Sequence, residues 1–275
     1  MTESGQITID LKNRTAFELD RDRQVRVYVS EHSDIHLLEF TRALALMVEE
    51  ARGSLVLHAS ATVHERGCVL ALGPKAAGKT TAMLELVFRH GHRHLTGDKA
   101  LVRASERGVD VRGWPDYPYI GRETLLMYER VADACDVPLA DLRNRTRAGE
   151  KLLIEPTRFR NTVPHIDNGD EHHVSGLLFP DVRSPTSGIR WLDGVELTNL
   201  IEQCIERPHE HDSVQWHSLL PEIRAQAQRE PPPPIPTALL RVPSVSVSGP
   251  MPLPHAVVDR MLTGFRSSGR VKDLR

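Results

Sequence analysis

The sequence predicts an α/β fold with a mixed central sheet flanked by helices, and three observations support it. Apolar runs of strand length alternate with segments whose apolar residues recur at helical spacing. One such run, Cys68 to Leu72, passes directly into a Gly-rich loop, and the loop passes directly into an amphipathic helix. Composition is that of an ordinary globular chain: 275 residues, 40% hydrophobic and 26% charged, with a formal net charge of −2. That length suits one full-sized domain, or one domain with a modest appendage.

The elements follow in order. Ile7, Ile9 and Leu11 alternate, as do Val25, Val27 and Val29, so two short strands come first. Leu37, Phe40, Leu44, Met47 and Val48 then define a helix that ends near Gly53. Strands over 55–63 and 68–72 enclose a tight turn at 64–67. Beyond the loop, Met83, Leu84, Val87 and Phe88 place a helix over 79–90, stopped by Gly91. Short strands at 94–96 and 100–102 flank Asp98. The run Gly113-Trp114-Pro115-Asp116-Tyr117-Pro118 interrupts the chain before a helix over 122–134. A short helix near 138–144 and a strand at 152–154 come next.

Residues 157–173 are rich in polar side chains and predict an exposed loop. A buried strand at 174–179 and a helix at 195–205 complete this part. Glu230-Pro231-Pro232-Pro233-Pro234-Ile235-Pro236 reads as a stiff extended spacer. An extended segment, 238–247, and a short helix from about Pro254 lie beyond it. No internal repeat is present. The expected organisation is residues 1–53 as strands and a helix packing on the core, 54–229 as the core, and 230–275 as spacer and C-terminal segment.

Several function classes are set aside. The near-neutral charge gives no reason to expect nucleic acid or an acidic membrane surface as partner. No apolar run approaches the roughly 20 residues of a membrane helix, and residues 1–10 lack a signal-peptide core, so a soluble cytoplasmic protein is expected. Cys68, Cys135 and Cys204 are scattered, as reduced thiols are. Two clusters, His165 to His173 and His209-Glu210-His211-Asp212, lack metal-ligand spacing and read as solvated loops.

The chemistry concentrates in Gly73-Pro74-Lys75-Ala76-Ala77-Gly78-Lys79-Thr80, a complete G-x-x-x-x-G-K-[ST] match. Small residues let successive backbone N–H groups turn inward around an anion, and the following helix adds its N-terminal donors. Lys79 brings a charge to the outer phosphates and Thr80 a hydroxyl to Mg²⁺, with Thr81 next in the helix. The loop predicts binding of a nucleoside triphosphate with Mg²⁺. ATP is favoured over GTP, since no N-K-x-D guanine motif follows.

Asp98, nineteen positions after Lys79, can hold Mg²⁺ or take the proton of an attacking hydroxyl. His58 lies two strands ahead of the loop. A histidine in an apolar run is more often a packed core residue, yet the end of a neighbouring strand lies near the phosphates. Arg158 and Arg160 follow a strand and can reach a phosphate or an anionic substrate.

His58-Ala59-Ser60-Ala61, the apolar strand, the loop 73–80, the helix ending at Gly91 and Leu95-Thr96-Gly97-Asp98 together resemble the P-loop kinases related to HPr kinase/phosphorylase. The similarity covers about residues 55–102, with a fainter echo to Ile205. It implies a P-loop nucleotide-binding fold and transfer of the γ-phosphoryl of ATP to a serine-like hydroxyl of a peptide, protein or small molecule. It also implies His58 near the phosphates, with Lys79, Thr80 and Asp98 in the centre. Two departures matter. The family often carries paired aspartates where this chain reads Asp98-Lys99, and the signature that HPr kinase proper carries further on has no counterpart here. The resemblance therefore implies a relative with another substrate and without phosphorolysis. A nucleotide-binding regulatory module and a P-loop ATPase remain as alternatives, and homo-oligomerisation is open.

Overall fold

The computed structural model describes residues 6–10, 14–19, 24–30, 34–115, 117–134, 136, 138–145, 149–207 and 233–263. The expectations for Asp116, Cys135, residues 209–212 and the start of the Pro-rich spacer, 230–232, lie outside the described residues. The chain divides into two compact units: Met1–Val56 with Glu206–Pro234, and Leu57–Ile205 with Ile235–Arg275.

In the first unit, β1 (Gln6–Asp10), β2 (Thr15–Leu19) and β3 (Val25–Tyr28) form an antiparallel sheet in that order. The helix α1 (Asp34–Ala51) packs on it, with the Phe40 ring 4.8 Å from that of Phe17. The middle strand was not expected. Among the described side chains of Thr-Ala-Phe-Glu-Leu, Phe17 is the one large buried group, so its sequence alternation is too weak to show.

The second unit is α/β, with a large mixed sheet flanked by helices. It begins with β4 (Leu55–His64), β5 (Gly67–Leu72), α2 (Lys79–His90), β6 (Arg93–Thr96), β7 (Lys99–Ser105) and β8 (Gly108–Gly113). Then come β9 (Tyr119–Gly121), α3 (Arg122–Met127), α4 (Glu129–Asp133), α5 (Leu139–Arg145), β10 (Lys151–Leu153) and α6 (Pro156–Thr162). Last are β11 (His172–Asp181), β12 (Gly188–Leu192), α7 (Gly194–Glu202), β13 (Ser244–Ser248) and α8 (His255–Thr263). The sheet order is β12-β13-β11-β5-β4-β7-β8, with β6 also on β4. The inner strands β5, β11 and β13 are parallel, while β4 and β12 run against them. Val69 and Ala71 of β5 turn to α2 and α8, in a cluster with Leu86, Val258 and Met261. The other side of α2, Met83, Leu84 and Val87, packs on α3 to α6.

Three sequence expectations change here. Residues 157–173 are not one loop: α6 occupies the first part and β11 begins at His172. The start of α6 is built by Glu155, whose carboxylate accepts from the amides of Thr157 and Arg158, with Pro156 in the first turn. Phe159 and Val163, four apart, are its buried anchors. The helix expected over 122–134 is broken at Tyr128, whose hydroxyl donates to the buried Glu85 at 2.8 Å. The segment 238–247, read as an extended appendage, ends in β13, an interior strand between β12 and β11. Among the described residues no helix is long and apolar enough to cross a membrane.

Gly176 marks how closely α8 approaches the sheet, since a Cβ there would lie 2.8 Å from the Met261 Cβ. Met261 is fully buried, so Met261→Ala is expected to cost about 2–5 kcal/mol in urea unfolding. Two buried histidines set a pH dependence. His92 bonds Thr62 Oγ1 through Nδ1 at 3.0 Å, and burial, with His64 nearby, pushes its pKa from 6.5 down to about 3. Burial does the same to His94, beside Phe159. Both stay neutral when folded, so their contribution is complete above pH 6.5 and is lost as pH falls toward 3. The urea midpoint should fall across that window, and His92→Gln should flatten the slope.

Candidate functional site

The Gly-rich loop joins the end of β5 to the start of α2. Gly73, Ala76 and Gly78 have φ of 146°, 69° and 103°, so the backbone repeatedly enters the region that suits glycine. The Ala77 amide donates to the Pro74 carbonyl at 3.2 Å and closes the turn. Gly78 caps α2 without a side-chain hydrogen bond, and no acid stands in the first turn. The helix therefore offers its N-terminal amides and dipole to an anion at this end. Lys79 is buried, and its ammonium donates to the carbonyls of Gly73 at 2.8 Å and Pro74 at 3.1 Å. Folded back in this way, it satisfies a buried charge within its own loop. Thr80 is half-buried, and the Thr81 hydroxyl shares a 2.7 Å hydrogen bond with that of Thr124 in α3.

His58 and Asp98 come to this loop from the other side of β5. In the antiparallel β4–β5 pair Ala59 lies opposite Leu72, which sets His58 beside Gly73. The Ala59 amide donates to the Asp98 carbonyl at 3.0 Å and Ser60 Oγ to the Gly97 carbonyl at 2.8 Å. Thr96 Oγ1 closes the same turn on the Lys99 carbonyl at 2.8 Å. His-Ala-Ser and Leu-Thr-Gly-Asp are thus two halves of one hydrogen-bonded unit. His58 Nε2 is 3.5 Å from Asp98 Oδ1, and Lys99 Nζ is 3.7 Å from Asp98 Oδ2. With 31% of its side chain exposed, His58 is not a packed core histidine. Its amide donates to the Cys204 carbonyl at 2.8 Å. Burial pushes the Cys204 thiol pKa up, against the opposing effects of the Gly73 backbone and Lys79.

The opposite flank is β11, parallel to β5 with Leu178 opposite Ala71. Its continuation is fastened to the loop: the Val182 amide donates to the Ala77 carbonyl at 3.1 Å. A Cβ on Gly78 would lie 2.4 Å from Val182 Cγ1. A cleft of about 410 Å³ opens here, floored by residues 73–77. Its walls carry Asp181, Arg183, Arg190, Glu196 and Cys204. Asp181 and Arg183 were missed in the sequence. Their only signal is the apolar run Leu177-Leu178-Phe179-Pro180 ending in an acid, and that gains meaning once β11 is known to neighbour β5.

Arg158 and Arg160 do not line this cleft. Arg158 pairs with Asp136, and Arg160 borders a small separate recess with His94, Phe159 and His165. His172 and His173 stand in β11, and His165 bridges to His94. Among the described residues no three His, Cys, Asp or Glu side chains gather as a metal cluster. Hard oxygen donors at the loop and on the strands and turn beside it include those of Thr80, Asp98 and Asp181. Such donors suit Mg²⁺ when phosphate oxygens complete the shell. No protein-family model matches the chain, and no curated protein matches it.

Gly78→Ala meets both a positive φ and the Val182 methyls. It is expected to cost about 1–3 kcal/mol in thermal unfolding, of which a second change, Val182→Ala, recovers only the steric part.

Proposed function

We propose that the chain is an ATP-dependent kinase with a P-loop nucleotide-binding core, transferring the γ-phosphoryl group to a hydroxyl of a peptide, protein or small-molecule acceptor. What supports this reading above all is the His58–Asp98 pair, joined at 3.5 Å, beside the start of a loop prepared for an anion. A loop alone serves many activities, and an acid–histidine pair alone serves many others; their juxtaposition narrows both.

In this mechanism the amides of residues 75, 76 and 78–80, at the α2 N-terminus, cradle the triphosphate. Lys79 leaves the carbonyls of Gly73 and Pro74 and follows the outer phosphates. Mg²⁺, held by Thr80 and Asp98, would neutralise phosphate charge. Asp98 accepts the proton of the acceptor hydroxyl as its oxygen bonds to the γ-phosphorus. The bond from that phosphorus to the bridging oxygen breaks, and ADP departs. His58 acts as a positioning residue that holds Asp98 toward the acceptor. Catalysis of this kind comes from placement and charge neutralisation.

One observation favours a second reading, a nucleotide-binding regulatory module without transfer. Lys99 occupies the place of a second carboxylate, and its ammonium is 3.7 Å from Asp98 Oδ2. Intact-mass measurement of candidate acceptors with ATP and Mg²⁺ separates the two. The kinase reading expects a phosphorylated acceptor, lost in Lys79→Ala. Asp98→Asn should keep ATP binding and lower transfer by about 10²–10⁴-fold. Transfer at the normal rate in Asp98→Asn would remove Asp98 as the base. Tight ATP binding with no product from any acceptor would favour the regulatory module.

A further inference from the structure

The cleft beside the loop has a shape and charge that the general kinase reading leaves unused. Its floor is the first half of the loop, residues 73–77, where the Lys79 ammonium now lies on the carbonyls of Gly73 and Pro74. The cation that serves the outer phosphates and the cleft therefore share one end of the loop. The volume, about 410 Å³, falls within the range of pockets that hold small ligands.

The charged groups on its walls are unequal. Arg190 is engaged by Glu196, whose carboxyl that guanidinium holds below the usual carboxylate range. Arg183 has no carboxylate partner among the described residues and is exposed on the cleft wall. It also rises from a fixed piece of backbone. The Asp181 carbonyl accepts the amides of Ser184 at 3.3 Å and Gly249 at 3.0 Å, and the Val182 amide is tied to Ala77. The planar guanidinium carried on this fixed backbone matches the paired oxygens of a carboxylate or phosphate. Lys75 stands exposed on the same rim, and Asp181 offers an acceptor for a hydroxyl.

We propose that this cleft is the acceptor subsite and that it takes a small hydroxy compound bearing a carboxylate or phosphate, gripped by Arg183. The proposal rests on the kinase reading for the word acceptor, but the anion site can be tested without transfer. Arg158 and Arg160, the sequence candidates for this task, are replaced in it by Arg183.

The test is calorimetric binding to the full chain holding Mg²⁺ and a non-hydrolysable ATP analogue. The probes are D-glycerate, L-lactate and glycerol 3-phosphate, each against the neutral alcohol or amide of the same skeleton. The carboxylate and phosphate arms show which anion is preferred. At least one acid should bind about tenfold or more tightly than its neutral counterpart, and Arg183→Ala should erase that preference. The analogue itself should bind Arg183→Ala within about twofold of the original chain, since Arg183 serves the acceptor and not the nucleotide. Equal binding of acids and neutral counterparts overturns the proposal. So does an Arg183→Ala chain that loses the ATP analogue in parallel, which would give Arg183 to the nucleotide phosphates. With ATP in place of the analogue, an acid that binds and is never phosphorylated defeats the kinase reading while the anion site stands. Phosphorylation of neutral alcohols with no preference for acids does the reverse.

Discussion

The parallel pairing of β5 with β11 is the constraint on which the rest of the candidate site depends. Parallel neighbours end on the same edge of a sheet, so the Gly-rich loop and the turn after β11 leave the sheet side by side. The bond from the Val182 amide to the Ala77 carbonyl then clasps one turn to the other, and the absent side chain of Gly78 admits Val182. Without that pairing the loop would be a Gly-rich turn with no wall. With it, the loop becomes the floor of a cleft.

The other side of β5 works differently. There β4 runs antiparallel, so the chain passes the loop at the beginning of a strand, and His58 is set beside Gly73. The Ser60 hydroxyl and the Ala59 amide hold the turn that carries Asp98 by its backbone carbonyls. Lys79 shows the same economy. Its charge is buried yet satisfied by the carbonyls of its own loop, an arrangement in which an incoming anion can take over the ammonium and release the two carbonyls.

Much of this was legible beforehand where local rules are strong. The limits of α2 coincide with the expected 79–90, because a Gly-rich start and a Gly91 stop are local backbone demands. The β4–β5 hairpin was legible for a similar reason, since both strands are continuous apolar runs around a short turn. Weakly patterned elements were not. Phe17 is the large buried residue described in β2, α6 buries Phe159, and β13 is Ser-Val-Ser-Val-Ser, whose small polar residues read as an extended tail until β11 and β12 enclose it. The break at Tyr128 needed the buried Glu85 forty-three positions away.

The sequence by itself determined that a Gly-rich loop lies between a strand and a helix, that Lys79 and Thr80 close it, that His58 belongs to a strand ahead of it, and that Asp98 lies between two short strands after it. These are statements about spacing along one chain, which residue type and periodicity carry. Tertiary structure alone decided which far-off segment stands on the loop's other flank. It selected Asp181 and Arg183 and left Arg158 and Arg160 elsewhere. The physical reason is that strand order in a sheet is set by burial and hydrogen bonding across the whole unit. A residue about a hundred positions from the loop can therefore line it while leaving no local trace.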